Sequence, residues 1–276
     1  MMLIFRNGGN YMKKWLIALA SLFMVGVLAA CGNSQSSSSK AGTDNVKLVT
    51  PKTLTIGLEG TYQPYSYHEN GKLTGFEVEL GEKIAGELNL KPKFVETKWD
   101  SLIAGLNVDK YDLILNNVAE TPERAAKYRF TVPYTSGKSE LAVKKGNTTI
   151  KSIKDIKGKK MAQSITSNNA ANVKKLGGVI VPVDGFAQSV TLIEQGRADG
   201  TVNDTASFHS YLKQQPNADI KLIPVGNAIK TTPARGLLRK DEGPLQKQVT
   251  KAIEKLRKNG QLGKLSKKYF GSDITK

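Results

Sequence analysis

Short apolar runs alternate along this chain with segments of helical period, and that alternation restricts the fold more than any other feature. Leu54, Ile56 and Leu58 alternate as in a strand, while Phe76, Leu80, Ile84 and Leu88 recur every fourth residue, as on one face of a helix. Phe94-Val95 reads as a strand, Ser101 to Leu106 as a helix and Asp112 to Leu115 as a strand. A second series follows, with strands at Met161, Val179 to Val183 and Gly200 to Val202. Its helices cover Ala170 to Leu176, Val190 to Glu194 and Phe208 to Leu212. Strands joined through helices lie parallel in one sheet, so two such series predict two α/β lobes built on parallel sheets. Leu245, Val249, Ala252, Ile253 and Leu256 mark a last amphipathic helix that ends near Asn259-Gly260, and its lysine-rich opposite face reads as solvated.

The N-terminal segment carries different information. Arg6, Lys13 and Lys14 flank the start of an apolar run from Trp15 to Leu28, with no acid before Asp44. A basic start and a run too short to span a bilayer are expected of a secretory signal over residues 1–30. The run ends in Leu28-Ala29-Ala30-Cys31-Gly32, small residues before the only cysteine of the chain. This resembles a bacterial lipobox, with Cys31 lipidated and left as the new N-terminus; a signal anchor with an incidental cysteine is the alternative. Met12 before Lys13-Lys14 is a second candidate start besides Met1. Gly32 to Ser39 is polar and reads as part of a flexible tether over residues 31–50.

The formal net charge is +17, and without residues 1–30 it is +14, because Arg6, Lys13 and Lys14 go and no acid does. Such an excess attracts polyanions: anionic cell-wall polymers, anionic lipid or nucleic acid. Export argues against nucleic acid, as do lysines that are scattered rather than interleaved with stacking aromatics. The plain alternative is a solvated basic surface. Enzyme chemistry finds little support, since the only histidines are His68 and His209 and no Cys/His cluster has metal-ligand spacing. No cofactor or metal is expected.

Ligands of open α/β sheets sit beyond the C-terminal ends of strands. That directs attention to Glu59 to Tyr62, Asn116 to Arg124, Ser164 to Asn168 and Asn203-Asp204. Gly60 permits a sharp turn after the first strand, and Tyr62 and Tyr65 either wall a pocket or pack in the core. Thr121-Pro122-Glu123 is a helix start that places Arg124 in a first turn, where its planar fork suits a carboxylate or pairs with a neighbouring glutamate. Ser164, Thr166 and the helix start near Asn168 offer hydroxyls and free N–H groups to an anion. Asp204 either receives an ammonium or caps the helix from Thr205. One arginine, one anion-binding turn and one acid together suit a zwitterion.

These residues fall into ordered motifs: Gly57-x-Glu59-Gly60-x-Tyr62-x-Pro64-Tyr65, Leu73-Thr74-Gly75-Phe76-Glu77-Val78-Glu79-Leu80, Trp99-x-x-Leu102-Ile103-x-x-Leu106, Tyr111-Asp112-Leu113-Ile114, Thr121-Pro122-Glu123-Arg124, Phe130-Thr131-x-Pro133-Tyr134, Gly196-Arg197-Ala198-Asp199 with Asn203-Asp204, and Lys268-Tyr269-Phe270-Gly271. From about Leu54 to Gly271 the chain resembles the polar amino-acid solute-binding proteins of ABC importers. The resemblance implies a two-lobed periplasmic-binding-protein type II fold, with lobe I formed by 51–137 and 233–276, lobe II by 138–232, and crossings near Gly137 and Thr232. It implies a monomer that serves an importer permease from the outer face of the cell membrane and is not itself an enzyme, although a few dehydratases are similar in fold.

By the same resemblance Arg124 and Thr166 would hold the ligand's α-carboxylate, and Asp204 its α-ammonium with the Asn117 carbonyl. Tyr62 and Trp99 would sandwich the side chain, and Glu59 would read its far end. Ala119 stands where many members carry Ser or Thr, leaving only a backbone N–H for the carboxylate, and Ser164 replaces a common glycine. Ala162-Gln163-Ser164-x-Thr166-Ser167-Asn168, Glu96-Thr97-x-Trp99 and Ala104-Gly105-Leu106-Asn107 resemble the cystine-binding branch, which makes L-cystine the expected ligand among polar amino acids. A basic cell-surface adhesin on the same fold is the alternative. Salt would weaken adhesion and spare capture in a closed cleft.

Overall fold

The computed structural model describes residues 46–230 and 232–276. The expected signal peptide, Cys31 and the tether up to residue 45 lie outside the described residues. Strand β1 (Thr53–Leu58) is an interior strand of its sheet and is buried from Leu54 to Leu58, so that Thr55 and Gly57, which alternate with its apolar residues, are covered as well. After a hairpin of β2 (Tyr67–Glu69) and β3 (Lys72–Thr74), helix α1 (Phe76–Glu87) lays Phe76, Leu80 and Ile84 in one cluster with Leu54 and Ile56 of β1. Each such burial contributes ~1.5–3 kcal/mol. Strands β4 (Lys91–Glu96) and β5 (Leu113–Ile114) flank β1 in parallel.

Between β4 and β5 the expected helix is broken into α2 (Trp99–Leu102) and a 3-10 stretch over Ile103–Val108. Gly105 and Asn107 are poor helix formers, and the Tyr111 hydroxyl packs where a Cβ at Gly105 would stand. Helix α3 (Pro122–Lys127) leads into β6 (Tyr128–Thr135), from which the chain passes straight to a second sheet at β7 (Ser139–Lys144). There follow β8 (Lys160–Gln163), α4 (Asn168–Lys175), β9 (Val179–Pro182), α5 (Phe186–Glu194), β10 (Gly200–Asp204), α6 (Thr205–Gln214) and β11 (Ile220–Pro224). The chain then returns to the first sheet as β12 (Ala234–Arg239) and ends in α7 (Gly243–Lys258) and α8 (Gln261–Phe270). The strand orders are β4-β1-β5-β12-β6 and β11-β7-β10-β8-β9.

All-parallel sheets are therefore not what forms. β12 lies antiparallel to β5 and β6, and β7 antiparallel to β10 and β11. These strands carry the chain between the two sheets, so no crossover helix forces them parallel. The tether expected over 31–50 also ends early: Val46 and Leu48 pack on the core, and the Val49 N–H donates to Asp112 Oδ1 at 2.7 Å. Helix α7 buries Leu245, Val249, Ala252, Ile253 and Leu256 as its period predicts.

Candidate functional site

The loops that follow the strands converge between the two lobes on a cavity that is partly open to solvent. Glu59, Tyr62, Trp99, Asn117 and Ala119 line it from the first lobe, and Ser164, Phe186, Asn203 and Asp204 from the second. Glu59 reaches it because the chain turns at Gly60, where φ is +71° and a Cβ would lie 2.1 Å from Glu96 Oε2. Asn116 then fixes Glu59 twice: its Oδ1 accepts the Glu59 N–H at 2.8 Å, and its Nδ2 donates to Glu59 Oε2 at 2.6 Å. Burial pushes the Glu59 carboxyl up to about 7, against the Asn116 hydrogen bond and with help from Asp100.

The two loop tyrosines divide their roles. Tyr62 stacks on Tyr65 at 5.1 Å, stands 6.1 Å from Phe186 and donates its hydroxyl to Asn203 Oδ1 at 2.7 Å. Tyr65 is wholly buried, outside the cavity lining, and donates to Asp204 Oδ1 at 2.9 Å. The alternatives left open for Asp204 are not exclusive. Its Oδ1 also caps α6 by accepting the Ala206 N–H at 2.9 Å, while Oδ2 lies 2.6 Å from where a Cβ on Gly137 would stand. Burial pushes this carboxyl up to about 6, opposed by the Tyr65 and backbone hydrogen bonds.

Thr121 caps α3 as its sequence predicts, accepting the Arg124 N–H at 3.3 Å. Arg124 is 8 % exposed, and its guanidinium turns to two carbonyls rather than to a neighbouring glutamate. Nη1 donates to the Ala119 carbonyl at 2.9 Å, Nη2 to the Thr166 carbonyl of the other lobe at 3.1 Å, and the group lies 5.4 Å from the Trp99 ring centroid. The Thr166 N–H and hydroxyl both donate to Asp100 Oδ1, at 3.1 and 2.7 Å. Arg124 and Thr166 thus stand beside the cavity, against Ala119 and Trp99, rather than among its lining residues. Ser167, next to Thr166, caps α4 by accepting the Ala170 N–H at 3.0 Å.

Sequence reasoning missed Glu77. It sits on the buried stripe of α1, its Oε1 accepts the Asn117 N–H at 2.6 Å and the Tyr134 hydroxyl, and its Oε2 has no hydrogen-bond partner among the described residues. Asn117 itself is held in a left-handed conformation, φ 47°. The available signal was an acid in phase with Leu80 and Ile84. Burial pushes the Glu77 carboxyl up to about 8. A carboxyl raised by folding binds its proton more tightly in the native state, so stability falls as pH rises from its ordinary 4.5 through about 8. The thermal midpoint is expected to drop between pH 5 and pH 8, and Glu77→Gln to make that drop shallower. A scan of melting against pH for both proteins tests this; equal slopes would remove Glu77 as its source.

Among the described residues no group of three or more His, Cys, Asp or Glu side chains is placed to hold a metal, and no helix is long and apolar enough to cross a membrane. Comparison with known proteins gives a consistent result. The model of the bacterial extracellular solute-binding proteins, family 3, matches residues 54–272. A probable amino-acid ABC transporter-binding protein of Haemophilus influenzae is 42% identical over 265 residues, 96% of this chain and 100% of that one. The L-cystine-binding protein TcyA of Bacillus subtilis is 39% identical over 277 residues, again 96% and 100%. Among solved structures, an ancestral arginine-binding protein bound to arginine superposes with a TM-score of 0.74 at 34% identity, covering 80% of this chain and 99% of that one.

Proposed function

Because this chain belongs to the bacterial extracellular solute-binding proteins of family 3, we propose that it is the receptor of an amino-acid ABC importer and that its ligand is L-cystine. The observation that carries the reading is the pairing of one nearly buried arginine with one nearly buried acid beside an aromatic-walled cavity between two lobes. Arg124 spends two of its five N–H donors on carbonyls, which leaves donors for a carboxylate. The Thr166 N–H and hydroxyl already hold one carboxylate, that of Asp100, and a ligand carboxylate would exchange with it. Asp204 Oδ2 would take the ammonium, and Glu77 holds the Asn117 loop on which the second ammonium acceptor sits. Tyr62 and Trp99 supply the walls, and Glu59 supplies a polar group for the far end of the side chain.

Cystine fits for two reasons. It has a second amino-acid head for Glu59 to meet, and TcyA, similar over nearly the whole chain, carries that ligand in its name. Lobe I would comprise 51–137 with 233–276 and lobe II 138–232, closing as a hinge where the chain crosses near Gly137 and Thr232. Cys31 would anchor the protein by lipid on the outer face of the membrane, and the tether would keep the trap close to its permease. Electrostatic attraction of the lysine-rich surface to anionic cell-wall polymers would add to that retention without contributing to capture.

The direct test is a thermal shift of residues 46–276, a span chosen because Val46, Leu48 and Val49 belong to the packed unit. A ligand at a hundredfold excess over its dissociation constant stabilises the native state by ~2.7 kcal/mol. Cystine is expected to raise the melting temperature by several degrees and to exceed arginine and glutamine. No shift with any amino acid would end the reading; a shift with arginine alone would replace the ligand.

A further inference from the structure

The backbone N–H and the hydroxyl of Thr166 carry one hydrogen each, and both donate to Asp100 Oδ1 of the opposite lobe, at 3.1 and 2.7 Å. While Asp100 is there, Thr166 has no donor left for a second carboxylate. Its carbonyl is held from the first lobe as well, by Arg124 Nη2 at 3.1 Å.

Asp100 is directed at this turn by its neighbours. Trp99, 7% exposed, packs beside the Arg124 guanidinium and so fixes the first turn of α2. Lys98, just ahead of it, donates through Nζ to Asp184 Oδ2 at 2.7 Å. The start of α2 thus bears on two strand ends of the other lobe, Thr166 after β8 and Asp184 after β9. The two ties differ in one respect. Lys98–Asp184 leaves every donor of Thr166 untouched and can persist beside a ligand, whereas Asp100–Thr166 excludes a ligand carboxylate from the same donors. Both ties join exposed residues, so they open to water without unpacking the core.

We propose that Asp100 is an internal stand-in for the ligand carboxylate: it latches the two lobes before an amino acid arrives and must be displaced for one to be held. This rests on the amino-acid reading above and adds a regulation of that site. A receptor whose binding groups are partly engaged by its own side chain binds more weakly in proportion to the fraction left free. The latch therefore lowers affinity, and its removal raises it.

The test compares wild type, Asp100→Ala, Asp100→Asn and Lys98→Met over residues 46–276, the packed unit. Without amino acid, small-angle scattering is expected to give Asp100→Ala a larger radius of gyration than the wild type. Saturating L-cystine is expected to bring the two radii together. In calorimetric titration Asp100→Ala is expected to bind L-cystine at least about twofold more tightly than the wild type. Asp100→Asn, which keeps an acceptor and loses the charge, is expected to fall between them, and Lys98→Met to bind no more tightly than the wild type. Equal radii without amino acid, a gain below about twofold in Asp100→Ala, or an equal gain in Lys98→Met would overturn the latch and leave the receptor assignment intact. L-Arginine is titrated alongside, so that a wrong ligand does not pass for a failed latch. Binding of neither amino acid by any of the four proteins would remove the competition and the receptor reading together, with the ligand-free radii still deciding whether Asp100 closes the lobes.

Discussion

Replacing Arg124 by alanine is expected to cost amino-acid affinity roughly a hundredfold or more, the largest single loss in the cleft. Truncating one member of a desolvated, hydrogen-bonded charge pair removes ~2–5 kcal/mol, because the other charge is left buried without a partner. With a ligand carboxylate Arg124 would meet that condition: it is 8 % exposed, lies against Trp99 and ties the Ala119 carbonyl of one lobe to the Thr166 carbonyl of the other. Ala119 offers no hydroxyl to compensate. Lysine at this position keeps the charge but loses the planar fork that reaches two acceptors and a carboxylate together. Arg124→Lys is therefore expected to recover only part of the affinity. Titration calorimetry of the three proteins reads the effect, and their melting without ligand separates loss of binding from loss of fold. An undiminished ligand-induced shift in Arg124→Ala would take the carboxylate away from this residue.

Asp204→Asn separates charge from architecture. Asparagine caps helices about as well as aspartate, and it can still accept the Tyr65 hydroxyl and the Ala206 N–H that Oδ1 accepts now. The ligand-free melting temperature is therefore expected to stay within a few degrees of the wild type, while affinity falls about a hundredfold as the ammonium loses its counter-charge, in line with ~2–5 kcal/mol for such a pair. The wild type carries a further signature. Burial pushes the Asp204 carboxyl up to about 6 and the Glu59 carboxyl up to about 7, so a ligand ammonium held there would displace protons. Affinity for cystine is expected to rise between pH 5 and pH 7, and Asp204→Asn to flatten that rise. Equal affinity of the asparagine variant and the wild type at pH 7 would show that the ammonium is held elsewhere.

Legibility in the sequence followed the range of each interaction. Helix α1 and strand β1 were readable because periodicity is a property of neighbours in the chain, and the Thr121-Pro122 start of α3 because a cap is made within a few residues. The crossing strands were not. Tyr128 to Thr135 contains Arg129 and Pro133, shows no clean alternation, and is a strand because β12 pairs with it. Tyr65 looked like Tyr62 on the same loop, yet one lines the cavity and the other holds Asp204 from 139 residues away.

What the sequence by itself determined was the alternation of strand and helix within each of two series, the strand-end loops where a ligand would lie, and the residue types that suit a zwitterion, since these rest on local period and on chemical inventory. Tertiary structure alone decided which partners those residues take. It set a carboxylate from Asp100 on Thr166, 66 residues apart, and put a buried acid under Asn117 from 40 residues away. It also let Asp204 cap a helix and face the cleft at once. Such pairings depend on how elements far apart in the chain are brought together, and short-range patterning carries no record of that distance.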